Sequence, residues 1–356
     1  MTTGKANARH STLHHARILP IAWFAILVVL SLGSSRAPAA ELEIVVPAYF
    51  YPAVGSDWND LNAAANVVPI TAIMNPGNGP GNLQDSNYVA AVNSFRASGG
   101  RVIGYVHTSY TSRPLQQVLN DIDKYHNWYN IDGIFVDEMA NTGPAERLNY
   151  YRDIYNHVKS IVPNWEVTGN PGTTTLEQYL TWPTADRLMV FENVGASYPG
   201  YTPSSWNFSY DSTNFVHLVH TESSSDDMLS ALQLALQRNA GGIYVTDDVL
   251  PNPWNRLPNY WMQLVDAVAL VNADYDHDGS VDAADYVVWR KTDSTQTGYD
   301  TWRANFGRTA GDGAVSNATV PEPATALLLL LGTATGCWRT TPTCPLAPKL
   351  IECGTR

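Results

Sequence analysis

Three acids in this chain have the types and placing that acid–base chemistry requires. Asp137 and Glu138 follow the short apolar run Ile131-Asp132-Gly133-Ile134-Phe135-Val136, and Glu192 follows a second, Leu188-Met189-Val190-Phe191. Breaking a glycosidic bond takes one carboxylic acid to protonate the leaving oxygen and one carboxylate to attack the anomeric carbon or activate water. The two must differ in pKa, one raised by burial against aromatics and the other kept ionised by hydrogen bonds. Helix capping or an ion pair is the plain alternative for Asp137 and Glu138. Metal binding by the three acids lacks the His/Cys ligand spacing that would accompany it, and a serine nucleophile lacks its G-x-S-x-G elbow.

A second acidic constellation lies downstream. Asp274, Asp276, Asp278 and Asp285 fall at positions one, three, five and twelve of a loop, with Gly279 at six and Ser280 at seven. That is the ladder of oxygens with which a calcium loop surrounds its ion, and the glycine permits the sharp turn. The expected cofactor is therefore one calcium ion here, with none needed for catalysis.

Elements that would position the first set follow the rhythm of repeated βα units. Strands are expected at Ile44 to Phe50, Ile70 to Met74, Arg101 to His107, Gly133 to Asp137, Trp165 to Thr168, Arg187 to Phe191, Phe215 to His220 and Gly242 to Val245. Eight such strands close an α/β fold of the (β/α)8 TIM-barrel type, with the calcium loop as a small C-terminal appendage. Stripes at helical spacing, among them Val118 with Ile122, Tyr151 with Val158, and Leu229, Leu232 and Leu236, read as core packing. The stretch from Asn193 to Asn214 has no such period and is expected to be a long loop over the mouth. Its Tyr198, Tyr201 and Trp206 serve either as a sugar-stacking platform or as pins holding the loop down. In a barrel the carboxyl ends of the strands share one mouth. Tyr49, Tyr51, Asn75, Tyr105, His107, Asn170, His220 and Asp247 are thereby candidates for substrate contact beside Asp137, Glu138 and Glu192.

The 356 residues carry a formal charge of -12 and no Lys/Arg cluster, which argues against a nucleic-acid partner. At the start, Arg9, His10 and Arg17 precede an apolar run from Ile18 to Leu32 and then Ala37-Pro38-Ala39, the pattern of an export signal occupying 1–39. The three cysteines, Cys337, Cys344 and Cys353, all lie near the end, so the body of an exported domain would rely on its core rather than on disulfides.

Together these residues resemble a known family. Val46-Pro47-Ala48-Tyr49-Phe50-Tyr51-Pro52, Asn75-Pro76-Gly77-Asn78-Gly79-Pro80-Gly81, Gly104-Tyr105-Val106-His107-Thr108-Ser109-Tyr110, Asp132 to Glu138, Asn170-Pro171-Gly172 and Phe191-Glu192 occur in the order seen in the spherulin 4 family. The resemblance spans 40–270. It implies a barrel glycoside hydrolase acting within polymers of α-1,4-linked N-acetylgalactosamine or galactosamine, with Asp137 as nucleophile, Glu192 as general acid/base and Glu138 as a supporting carboxylate. Residues 271–308 resemble a dockerin segment with one loop, implying a cohesin-like or cell-surface partner. After a linker at 309–319, Val320-Pro321-Glu322-Pro323 and the apolar run behind it, within 320–356, resemble a PEP-CTERM sorting signal. That implies transient membrane contact and an extracellular or cell-surface location in a Gram-negative-type bacterium. The other reading is a glycan-binding or adhesion module that holds its polymer without cutting it.

Overall fold

Strands buried on both faces need near-continuous apolar sequence, because helices cover one side and the barrel core the other. The computed structural model, which describes residues 41–309, has eight such strands: β1 (Glu43–Ala48), β2 (Ile70–Met74), β3 (Arg101–His107), β4 (Gly133–Asp137), β5 (Glu166–Gly169), β6 (Arg187–Val194), β7 (Phe215–His220) and β8 (Gly242–Val245). All neighbours are parallel, and β8 pairs with β1, closing the barrel in chain order. The expected fold class is the one observed.

The helices between them are α1 (Trp58–Ala64), α2 (Ser86–Ala97), α3 (Leu115–Trp128), α4 (Ala145–Ile161), α5 (Gln178–Thr181), α6 (Ser225–Gln237) and α7 (Trp261–Ala273), followed by α8 (Ala283–Thr292) and α9 (Gln296–Asn305). After β6 only short 3-10 turns occur before β7, so the aperiodic stretch is a loop as expected. Helix α1 carried no recognisable stripe, since Asn59, Asp60 and Asn62 interrupt its apolar positions. The face of α6 differs from the expected stripe. It buries Met228, Ala231, Leu232 and Ala235, whereas Leu229 and Leu236 are exposed. Small alanines let that helix lie close to the barrel, which a reading by leucines alone overlooks.

Two backbone features set how the strands that carry the acids are placed. Gly133 opens β4 where a Cβ would stand 2.2 Å from the Glu166 carbonyl oxygen, so only glycine lets β4 and β5 approach there. In β6 the register with β7 shifts between Met189 and Phe191. Gly169 pairs with Leu188, and strict alternation from that pair would turn Phe191 toward the mouth. The bulge at Val190 reverses this. Phe191 instead packs on Tyr198, Tyr201 and His217, and Glu192 takes the inward direction.

At the opposite, N-terminal end the barrel is plugged by ions. Arg187 lies 2.5 Å from Glu43 and 3.6 Å from Glu166, while Arg101 lies 2.9 Å from Glu166. Burial pushes the Glu166 carboxyl up, but Arg187 and Arg101 outweigh it and hold the group below the usual carboxylate range.

The boundary expected at Leu270 falls inside helix α7, not in a linker. The helix buries Trp261, Leu264, Val265, Val268 and Ala269 against the barrel and runs straight into Asp274. Beyond it Ala273, Val281 and Trp302 form a second small core, flanked by Tyr275, Tyr286, Tyr299 and Phe306. Asn272 ties this end to the barrel by exchanging hydrogen bonds with the backbone of Leu42 at 2.7 and 3.0 Å. Among the described residues no helix is long and apolar enough to cross a membrane. The export signal and the sorting tail lie outside the described residues.

Candidate active site

Asp137 ends β4, directly beside His107 of β3 in the ladder. Glu192 enters from β6 through the bulge. Between them stands Asn170, one residue past β5, whose backbone N–H bonds to the Val136 carbonyl at 2.8 Å. Its side-chain amide donates to Asp137 Oδ1 at 2.7 Å and to Glu192 Oε2 at 2.6 Å. One amide thus holds both carboxylates, and their bonded oxygens are no farther apart than those two bonds laid end to end. Gly172, at φ 65°, completes the arrangement: its N–H donates to the Met189 carbonyl and its own carbonyl accepts from the Glu192 N–H. That left-handed backbone is why glycine follows Asn170-Pro171.

The two acids sit in different surroundings. Burial raises the Asp137 pKa, opposed by hydrogen bonds from the Tyr105 hydroxyl, the Glu138 N–H and Asn170. Burial and then the nearby Asp137 charge push Glu192 up to about 7, opposed only by Asn170 and the Trp254 side chain. Three donors stabilise the ionised form of the first acid, while the second can hold a proton near neutrality.

The other candidates divide into those facing the pair and those engaged elsewhere. Tyr105 bonds Asp137, and Tyr49 packs edge-on against it with ring centroids 5.6 Å apart. Burial, followed by the charge of Asp137, raises both tyrosine pKa values, so their hydroxyls stay protonated donors. His220 is buried, bonds Thr221 Oγ1 at 2.9 Å and meets Trp254 edge-on. His107 lies 3.4 Å from the Asn78 amide. Tyr51 stands at the mouth, half exposed, with its hydroxyl held by Asp85 and Asn87. Asn75 Oδ1 accepts the Gly79 N–H, which shapes its own loop. Arg256 and Asn259 take both oxygens of Asp247, so its carboxylate fastens the loop after β8.

Glu138 also has a local duty. Its Oε2 accepts the Ser109 N–H at 3.0 Å and its carbonyl accepts the Tyr110 N–H at 2.8 Å. Of the loop aromatics, Tyr198 is buried beneath Arg238, whose guanidinium lies 4.6 Å from its ring centroid. Its hydroxyl meets His217 Nδ1 at 2.7 Å. Tyr201 and Trp206 pack on the barrel core. These residues pin the loop.

Trp254 is the residue that sequence reasoning missed. It is a lone tryptophan in Pro251-Asn252-Pro253-Trp254 after β8, and a proline-framed aromatic in a mouth loop is the signal that pointed to it.

In the second constellation Asp274, Asp276 and Asp278 bring carboxylate oxygens within 4.8 Å of one another. Gly279 turns at φ 90°, and the fully buried Asp285 accepts the N–H groups of Asp276 and Asp282. This donor set, all oxygen and converging, fits a hard cation.

A closed parallel barrel with paired acids bridged at its mouth defines a glycoside-hydrolase-like, glycan-binding barrel. The Spherulation-specific family 4 model matches residues 43–268, and the chain belongs to that family. Spherulin-4 of Physarum polycephalum is 34% identical over 248 residues, which is 65% of this chain and 71% of that protein. The crystal structure of Aspergillus clavatus Sph3 in complex with GalNAc superposes with a TM-score of 0.57 at 25% identity, covering 65% of this chain and 99% of that one.

Proposed function

We propose that the chain is an exported glycoside hydrolase that cuts within polysaccharides of α-1,4-linked N-acetylgalactosamine or galactosamine. The observation carrying this reading is the Asn170 amide shared by Asp137 and Glu192, with Glu192 pushed up to about 7. Glu192 then gives its proton to the glycosidic oxygen as Asp137 Oδ2 or Oδ1 attacks the anomeric carbon. After the leaving group departs, Glu192 takes a proton from water, which hydrolyses the glycosyl-Asp137 ester. Before the attack, Tyr105 and the Glu138 N–H favour the ionised form of Asp137. The GalNAc bound by Sph3 supports the sugar class.

Enzymes that place water between their acids hold the carboxyl groups roughly 6.5–9.5 Å apart, beyond the reach of the two bonds from Asn170. The product should therefore retain its anomeric configuration. Acetylated and deacetylated polymers incubated with the chain and read by mass spectrometry should yield short oligosaccharides, with the first-formed anomer seen by proton NMR. Binding without new reducing ends would favour the adhesion reading, and an inverted first product would remove Asp137 as nucleophile.

Calcium is proposed for the loop of Asp274, Asp276, Asp278, Ser280 and Asp285, with a cell-surface or cohesin-like partner for that segment. Because α7 is both the last barrel helix and the helix entering this loop, the ion should stabilise the barrel itself. At a hundredfold excess over its Kd it adds about 2.7 kcal/mol. Scanning calorimetry of the whole chain should show a higher Tm with calcium than with EDTA, and no such difference in the Asp276→Ala, Asp278→Ala double variant. An equal response in both would remove the site. Export is supported by the charges, apolar run and small residues of 1–39, and a membrane-processed tail by the Pro321-Glu322-Pro323 motif.

A further inference from the structure

Acid–base chemistry does not account for the turn after β3. Ser109, Tyr110 and Thr111 adopt φ of 47°, 54° and 78° in succession, and Glu138, which holds them, adopts 51°. Side chains with a Cβ rarely enter this left-handed region, and a β-branched one such as Thr111 least of all. The turn persists because it is fastened from the strand end beside it. Glu138 accepts the Ser109 N–H with its carboxylate, and its carbonyl accepts the Tyr110 N–H and the Thr108 hydroxyl, the latter at 2.8 Å.

What this turn displays is the ring of Tyr110, 60% exposed. A ring left in water contributes little to the fold, so packing does not explain four consecutive-and-facing residues in a disfavoured backbone region around it. Its position explains it better. Tyr110 is bonded through its backbone to the residue next to Asp137, and its hydroxyl, raised first by partial burial, also feels the charges of Glu138, Asp137 and Glu192. An exposed ring on a fastened backbone turn, beside a pair of reacting acids, is what a sugar ring stacks against, because one face of the tyrosine is apolar and broad. Galactose-configured sugars suit it, since their axial hydroxyl leaves the opposite ring face lined with C–H groups.

We propose that Tyr110 forms a stacking subsite for an amino-sugar residue of the chain adjoining the bond to be cut, and that Glu138 is a positioning residue that holds the Tyr110 turn. This rests on the hydrolase reading above. Tyr110→Ala should raise KM for the α-1,4-linked polymer about tenfold, a loss of stacking of about 1.4 kcal/mol, and change kcat far less. Tyr110→Trp should restore KM toward that of the unaltered chain. Hydrogen exchange followed by mass spectrometry reports the turn without any substrate: amides of 108–112 should exchange faster in Glu138→Ala and stay protected in Glu138→Gln, whose side-chain oxygen can still accept the Ser109 N–H. Cleavage by the unaltered chain with an unchanged KM in Tyr110→Ala overturns the subsite and leaves the hydrolase standing. Equal protection in Glu138→Ala overturns the positioning role. Absence of cleavage by the unaltered chain removes the hydrolase reading and the subsite with it.

Discussion

Asp137→Asn and Glu192→Gln should each lower the cleavage rate by roughly 10³-fold or more while the barrel stays folded. The first removes the attacking charge, and the second removes the proton that the leaving oxygen needs. In the unaltered chain kcat should fall as pH rises through about 7, because Glu192 must be protonated to act. Residual activity of Glu192→Gln should lack that limb. Stability supplies an independent check. The folded pKa of Glu192 lies above its ordinary value of 4.5, so its contribution to stability is complete below the unfolded value and is lost as pH climbs through about 7. Glu192→Gln should therefore gain Tm relative to the unaltered chain at pH 8 and not at pH 4. Thermal melts at both values, with reducing-end assays across the range, decide the matter. Full activity in either variant would end the assignment.

Arg187→Ala should cost about 3–5 kcal/mol of stability, the largest expected effect away from the mouth. Arg187 is 7% exposed and neutralises Glu43 and Glu166 together. Without it two largely buried carboxylates face each other with only the more exposed Arg101 nearby. Glu166, held below its usual range in the native chain, contributes stability above its unfolded pKa that is lost as pH falls. The variant reverses this, so its deficit in urea denaturation should be large at pH 7 and shrink near pH 4, where both carboxyls can take up protons. A deficit under about 1 kcal/mol at pH 7 would mean the cluster is no more than a surface ion pair.

The strands were readable because a barrel strand is apolar on both faces, as in Gly133–Asp137 and Phe215–His220, whose ends match the expectation. The acids were readable because strand ends in such a fold share one mouth. Less visible was the way Glu192 reaches it. Alternation alone would send Phe191 inward, and a one-residue bulge has no local composition of its own. Trp254 escaped because its partner, Glu192, is remote in the chain and only closure of the barrel brings the loop after β8 over β6. Asp247 looked like a mouth residue for the same reason that Asp137 did. What separates them is their partners, since Arg256 and Asn259 engage Asp247, and those two residues carry no periodic signal.

Helix α7 belongs to two structures at once, and that limits how the molecule can be divided. A fragment starting at Leu270 would keep every oxygen of the Asp274 loop yet discard the helical turns that aim it. A barrel ending there would leave the Leu42 amide without its Asn272 acceptor. In this chain the two parts share that helix, so mutations in either should be felt as one cooperative transition.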